Sequence, residues 1–112
     1  PNPEEFPNTG SFFKNAIVDK WRVDDLRQKY PDMPAYEMPE NQYKVPSGWL
    51  IEQTGLKGQT LHGIRINEKN ALVLINDSAT SFNDLAMARD EVIHAVHEKF
   101  GILIEQEPLQ IA

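Results

Sequence analysis

The chain contains no cysteine. That excludes a disulfide, a thiolate nucleophile and a cysteine-built zinc site. It also lacks any cluster of positive charge. Its 11 Lys and Arg residues are scattered from Lys14 to Lys99 and outnumbered by 17 Asp and Glu, giving a net charge of −6. Binding to a phosphate backbone needs grouped cations, so nucleic acid is not expected as a partner. No apolar run approaches the roughly 20 residues that cross a bilayer, and no charged-then-apolar leader is recognisable. A membrane is therefore not expected as a partner either, and a soluble, cytoplasmic domain is what remains. Proline is scarce beyond the midpoint: seven of eight lie at or before Pro46, so the second half is free to run in longer elements.

The 112 residues, 40% hydrophobic and 25% charged, suffice for one domain with one core. The opening Pro1-Asn2-Pro3-Glu4-Glu5 has no initiator Met. It reads as part of a longer protein, with residues 1–9 the remnant of a linker and 10–112 the domain.

Gly10-Ser11-Phe12-Phe13-Lys14-Asn15 reads as a short strand with paired aromatics. Val23, Leu26 and Tyr30 fall at helical spacing, with Asp24 and Asp25 in the first turn and Pro31 as the stop. Residues 31–46 form a Pro-rich connection with an extended piece at Tyr43–Val45. Ser47 reads as the N-cap of a brief helix closed by Gly55. Leu61 to Asn67 and Ala71 to Asn76, separated by Glu68-Lys69-Asn70, predict a hairpin, its second strand buried on both faces. Ser81-Phe82-Asn83-Asp84 opens a helix that ends at Phe100-Gly101, with Leu85, Ala88, Val92, Val96 and Phe100 on one apolar stripe. Ile102-Leu103-Ile104 reads as a last strand. The order of elements predicts an α+β domain with helices packed on a mostly antiparallel sheet.

Motif by motif, the residues supply little chemistry. Gly58-Gln59-Thr60-Leu61-His62-Gly63 has phosphate-loop glycine spacing, but Ile64-Arg65 stands where Lys-Ser/Thr is needed, so a turn entering a strand is the better reading. His94 and His97, with Glu91 and Glu98, offer helical metal-ligand spacing. At 100° per residue, however, His94 lies opposite the apolar stripe, and a solvated face explains it without a metal. His62 reads as an ordinary strand histidine, and the Asn76-Asp77-Ser78 sequon has no secretory context. Ser11 has no nucleophile-elbow glycines around it, and Glu107 resembles any strand-end carboxylate.

Taken in order, several segments resemble one family. Gly10–Asn15 is similar to the Gly-Ser-Phe-Phe-Lys-Asn-Pro signature of UDP-N-acetylenolpyruvoylglucosamine reductases. Gly48-Trp49-Leu50-Ile51, with Leu56-Lys57-Gly58, resembles the family's Gly-Trp-Leu-Ile…Leu-Lys-Gly stretch. Leu72-Val73-Leu74-Ile75-Asn76 followed by Ala79-Thr80 fits as well. Phe100-Gly101-Ile102 before Glu105-Gln106-Glu107 resembles the Phe-Gly…Leu-Glu-Pro-Glu ending. Ala16 stands where the signature has proline, and Pro108-Leu109-Gln110 replaces a hydrophobic-Arg pair.

The resemblance implies a flavoenzyme of peptidoglycan precursor synthesis. In it NADPH reduces FAD, and hydride then passes to the vinyl ether of UDP-GlcNAc-enolpyruvate to give UDP-N-acetylmuramate. It implies that Ser11 is the proton donor, Glu107 the essential carboxylic acid, Asn15 a contact to the nucleotide diphosphate, and Asn70 the counterpart of a substrate-contacting Gln. Hydride addition leaves carbanion character beside the substrate carboxylate, basic enough to draw a proton from a positioned serine hydroxyl. Glu107 helps there either as a hydrogen-bond donor, which requires that it hold its proton, or as an orienter. The FAD-binding region lies upstream, so neither cofactor is expected on this chain. The competing reading is a free-standing, non-catalytic α+β binding module.

Overall fold

The computed structural model describes residues 12–78 and 81–107. Ser11, the linker of residues 1–9, and Ala79-Thr80 lie outside the described residues. Among the described residues nine elements follow one another: β1 (Ala16–Asp19), α1 (Lys20–Lys29), β2 (Tyr36–Met38), β3 (Gln42–Val45), α2 (Ser47–Gln53), β4 (Thr60–Leu61), β5 (Ile64–Ile66), β6 (Leu74–Asn76) and α3 (Phe82–Phe100). The strands form two three-stranded antiparallel sheets, ordered β1-β3-β2 and β4-β5-β6. This is an α+β domain, its strands split between two small sheets.

The α3 helix follows directly from its sequence. Ser81 Oγ accepts the Asp84 N–H at 3.2 Å, and Gly101 takes the left-handed conformation at φ 68 that ends the helix. Leu85, Ala88, Val92, Val96 and Phe100 are all buried on the face that packs on α2, β4 and β5. Beyond that glycine, Arg22 of α1 donates from Nη2 to the Gly101 carbonyl at 2.6 Å and the Phe100 carbonyl at 3.3 Å. A cation thus satisfies carbonyls that the end of α3 leaves without helical partners. Arg22→Ala is expected to lower stability by about 1 kcal/mol. In urea unfolding this appears as an earlier midpoint with an unchanged slope, and an unmoved midpoint would show the cap to be idle.

The first half departs from its sequence pattern. The expected strand at Gly10–Asn15 is replaced, among the described residues, by a single bridge between Phe13 and Gln106, and regular pairing begins at Ala16. The reason is burial: Phe12 and Phe13 are both in the core, whereas a one-sided strand sends consecutive side chains to opposite faces. Ala16 and Val18 are buried while Ile17 and Asp19 are exposed, the alternation a true strand shows. The α1 helix starts at Lys20, so Asp24 sits one turn in and pairs with Lys20 Nζ at 2.8 Å rather than lying in the first turn. The Pro-rich connection holds a hairpin, β2–β3, whose turn carries positive φ at Glu40 and Asn41. Pro46, not Ser47, occupies the N-cap of α2.

The later hairpin exists with shorter strands, pairing Ile64 with Asn76 and Ile66 with Leu74. Ala71 and Leu72 lie in the turn before it, and of the expected run only Leu74 and Ile75 are buried strand residues. Ile102 and Ile104 are buried with Leu103 exposed, a strand-like alternation, yet among the described residues this segment joins no sheet.

Candidate functional site

The residues singled out in the sequence are distributed over three segments, and Phe12 joins the three. Its N–H donates to the Leu72 carbonyl at 2.9 Å, and its carbonyl accepts the Glu107 N–H at 2.8 Å. One residue on, the Lys14 N–H donates to the Glu105 carbonyl at 2.8 Å. The opening segment therefore lies between the turn that contains Asn70 and the ending that contains Glu107. Two buried rings anchor it, Phe12 against Phe13, with centroids 5.0 Å apart and planes at 75°.

Asn15 is exposed, and its Oδ1 accepts the Ser47 N–H at 3.2 Å, satisfying a donor at the start of α2. Ser47 is fully buried, and its hydroxyl donates to the Lys14 carbonyl. With the carbonyl side of its amide engaged, Asn15 offers the NH2 side to any further partner. The next residue, Gly48, faces the Leu72 side chain, which lies 3.4 Å from where a Cβ would stand. The first turn of α2 is thereby packed onto the same turn that receives Phe12.

Asn67 Oδ1 accepts the N–H groups of Lys69 at 2.7 Å and Asn70 at 3.1 Å, and Asn70 Oδ1 accepts the Leu72 N–H at 3.0 Å. Two successive asparagine turns hold this loop in shape, again leaving the Asn70 amide NH2 for outside contact. Glu107 is half-buried. Ser11 directly precedes Phe12 in sequence and lies outside the described residues.

Sequence reasoning missed three residues here. Ser47 was read as a cap and is instead a buried clamp on the opening segment. Asn67 organises the Asn70 turn, a role its three-residue spacing from Asn70 signals. Arg89 on α3 donates to Gln106 Oε1 at 3.0 Å, across 17 positions that no local pattern connects.

The remaining motifs resolve as local structure. Gly58 and Gly63 have φ of 83 and 80 and sit in turns on either side of β4. They do not connect a strand to a helix, so they do not form the strand–glycine turn–helix phosphate site. His62, in a turn rather than a strand, pairs with Glu91 at 2.8 Å, tying that turn to α3. His94 is exposed and faces Glu98 at 3.6 Å. Among the described residues no group of three or more His, Asp or Glu converges as a metal site, and no helix is long and apolar enough to cross a membrane.

Comparison with known proteins adds the family. The family model for "UDP-N-acetylenolpyruvoylglucosamine reductase, C-terminal domain" matches residues 2–111. Among curated relatives, the UDP-N-acetylenolpyruvoylglucosamine reductase of Photobacterium profundum is 40% identical over 107 residues, covering 96% of this chain and 31% of its own length. That of Alcanivorax borkumensis is 44% identical over 110 residues, covering 97% and 31%. That of Flavobacterium johnsoniae is 42% identical over 107 residues, covering 96% and 32%. The chain thus spans about a third of the length of these relatives. With the opening signature, the Gly48–Gly58 stretch and the Glu105–Glu107 ending all inside the match, the chain belongs to the family of UDP-N-acetylenolpyruvoylglucosamine reductase C-terminal domains.

Proposed function

We propose that residues 10–112 are the substrate-binding domain of a cytoplasmic, FAD- and NADPH-dependent reductase that converts UDP-GlcNAc-enolpyruvate to UDP-N-acetylmuramate for peptidoglycan synthesis. Residues 1–9 then belong to the linker from an upstream FAD-binding region of the same polypeptide. The flavin, when bound by that region, supplies hydride to the vinyl carbon. The roles below belong to this chain.

Ser11 donates the proton that completes the reduction. Loss of its hydroxyl proton is feasible because the acceptor is a carbanion or enol beside the substrate carboxylate, a strong base for its surroundings. Glu107, whose N–H bonds the Phe12 carbonyl, donates a hydrogen bond to that developing charge or orients the group that does. The Asn15 and Asn70 NH2 groups hydrogen-bond the substrate, Asn15 at the diphosphate. The observation that supports this reading is the pair of backbone hydrogen bonds at Phe12, donated to the Leu72 carbonyl and accepted from the Glu107 N–H, which brings the opening signature, the Asn70 turn and the ending together.

Calorimetric titration of UDP-GlcNAc-enolpyruvate tests it, with the chain alone and joined to the upstream region. Saturable binding is expected, and Asn15→Asp should weaken it about tenfold or more. That variant keeps an acceptor for the Ser47 N–H while replacing the NH2 donor with negative charge opposite a diphosphate. Absence of saturable binding in the joined protein would favour the non-catalytic module.

A further inference from the structure

The segment that carries Glu107 is held by few bonds. It joins no sheet. Among the described residues it is fixed to the opening segment by the pair of backbone bonds around the Phe13–Gln106 bridge, Lys14 N–H to Glu105 and Glu107 N–H to Phe12, and by an exposed Lys14–Glu105 ion pair at 3.8 Å. In this bridge the opposed residues exchange no hydrogen bonds, so the Gln106 N–H takes no part in it. The Gln106 side chain is engaged instead: Arg89 Nη1 donates to its Oε1 at 3.0 Å. Arg89 is steadied in turn by Asp90, whose Oδ1 accepts from Nε at 3.0 Å, and it sits on α3 beside the buried Ala88. A rigid helix therefore grips the residue immediately before Glu107. A proline at that position would restrict φ by ring closure. Gln106 has no such restriction of its own.

We propose that Arg89 is a positioning residue for Glu107: through Gln106 it fixes the ending segment to α3 and so sets where the Glu107 carboxyl stands against the substrate. The inference rests on the functional reading above for Glu107, and adds the device that holds it. A cation at hydrogen-bonding distance from a neutral amide makes a stronger and more directional tether than two neutral groups. Placement errors of an ångström at a reacting centre are costly even when they originate in residues that never touch substrate.

The test is made in the full-length reductase carrying this domain. Arg89→Ala should lower kcat about tenfold with little change in KM for the nicotinamide cofactor, and speed amide exchange at Glu107. Gln106→Ala should do the same, and the two together should add nothing, because both remove one contact. Gln106→Pro introduced into Arg89→Ala should recover most of the loss, since a fixed φ substitutes for the missing tether without removing a bridge hydrogen bond. A merely stabilising Arg89 would lower the unfolding midpoint while leaving Glu107 exchange and kcat at parent values. That result, or additive losses in the double alanine variant, overturns the proposal. Parent turnover in Glu107→Gln would instead overturn the functional reading of Glu107, and the exchange measurement, which does not depend on turnover, separates the two failures.

Discussion

Ser11→Ala, introduced into the full-length enzyme, is expected to leave reduction of the flavin by NADPH nearly unchanged and to slow its reoxidation by UDP-GlcNAc-enolpyruvate about 10²-fold or more. The asymmetry follows from where the proton is needed. A serine that protonates the product side of the second half-reaction has no part in the first. Its loss removes a contribution realised only in the transition state, so turnover falls without a matching rise in KM. Stopped-flow flavin absorbance reads the two half-reactions separately. If Ser11 served only to shape the chain beside Phe12, its loss would affect both half-reactions or neither. Reoxidation at the parent rate in the alanine variant would remove Ser11 as the proton donor.

Phe13→Ala is expected to cost about 3–5 kcal/mol, the range for removing a fully buried aromatic. Phe13 is 1% exposed, stacks edge-on against Phe12 and pairs with Gln106. It belongs to the same buried core as Val45, Leu50 and Ile51. Since a domain of this size has only about 5–15 kcal/mol to lose, the variant should unfold at a markedly lower urea concentration. Arg22→Ala is expected to shift the midpoint far less. Equal shifts would mean that the buried Phe13 ring contributes little to the fold.

The contrast between those segments and α3 marks how far the sequence was legible. The α3 helix was readable because independent signals agreed: Ser81 and Gly101 mark its ends and a five-residue stripe marks its buried face. The opening segment was misread because paired aromatics suggest a strand, whereas both rings are buried and the chain passes through the core joined to it by a bridge. The β2–β3 hairpin was hidden by prolines at 34, 39 and 46, which flank strands of only three and four residues. Ile102–Ile104 has the burial rhythm of a strand, but pairing depends on a partner, and rhythm does not reveal one.

At the site, the residue types came from the family signature, and spacing alone gave no reason to connect positions 12, 72 and 107. Their connection is made by backbone bonds across 60 and 95 positions of chain, which no short-range rule encodes. Ser47 and Arg89 were missed for the same reason. Each acts on a segment distant in sequence, through polar atoms whose partners only the fold supplies.

The most direct test of the whole account is amide chemical-shift mapping of UDP-GlcNAc-enolpyruvate binding to this domain joined to its upstream region. Saturating substrate should move the resonances of residues 12–15, 70–72 and 105–107 together, with one binding constant, while the exposed face of α3 around His94 stays still. Saturable shifts confined to any other part of the domain, or none at all in the three segments, would contradict it.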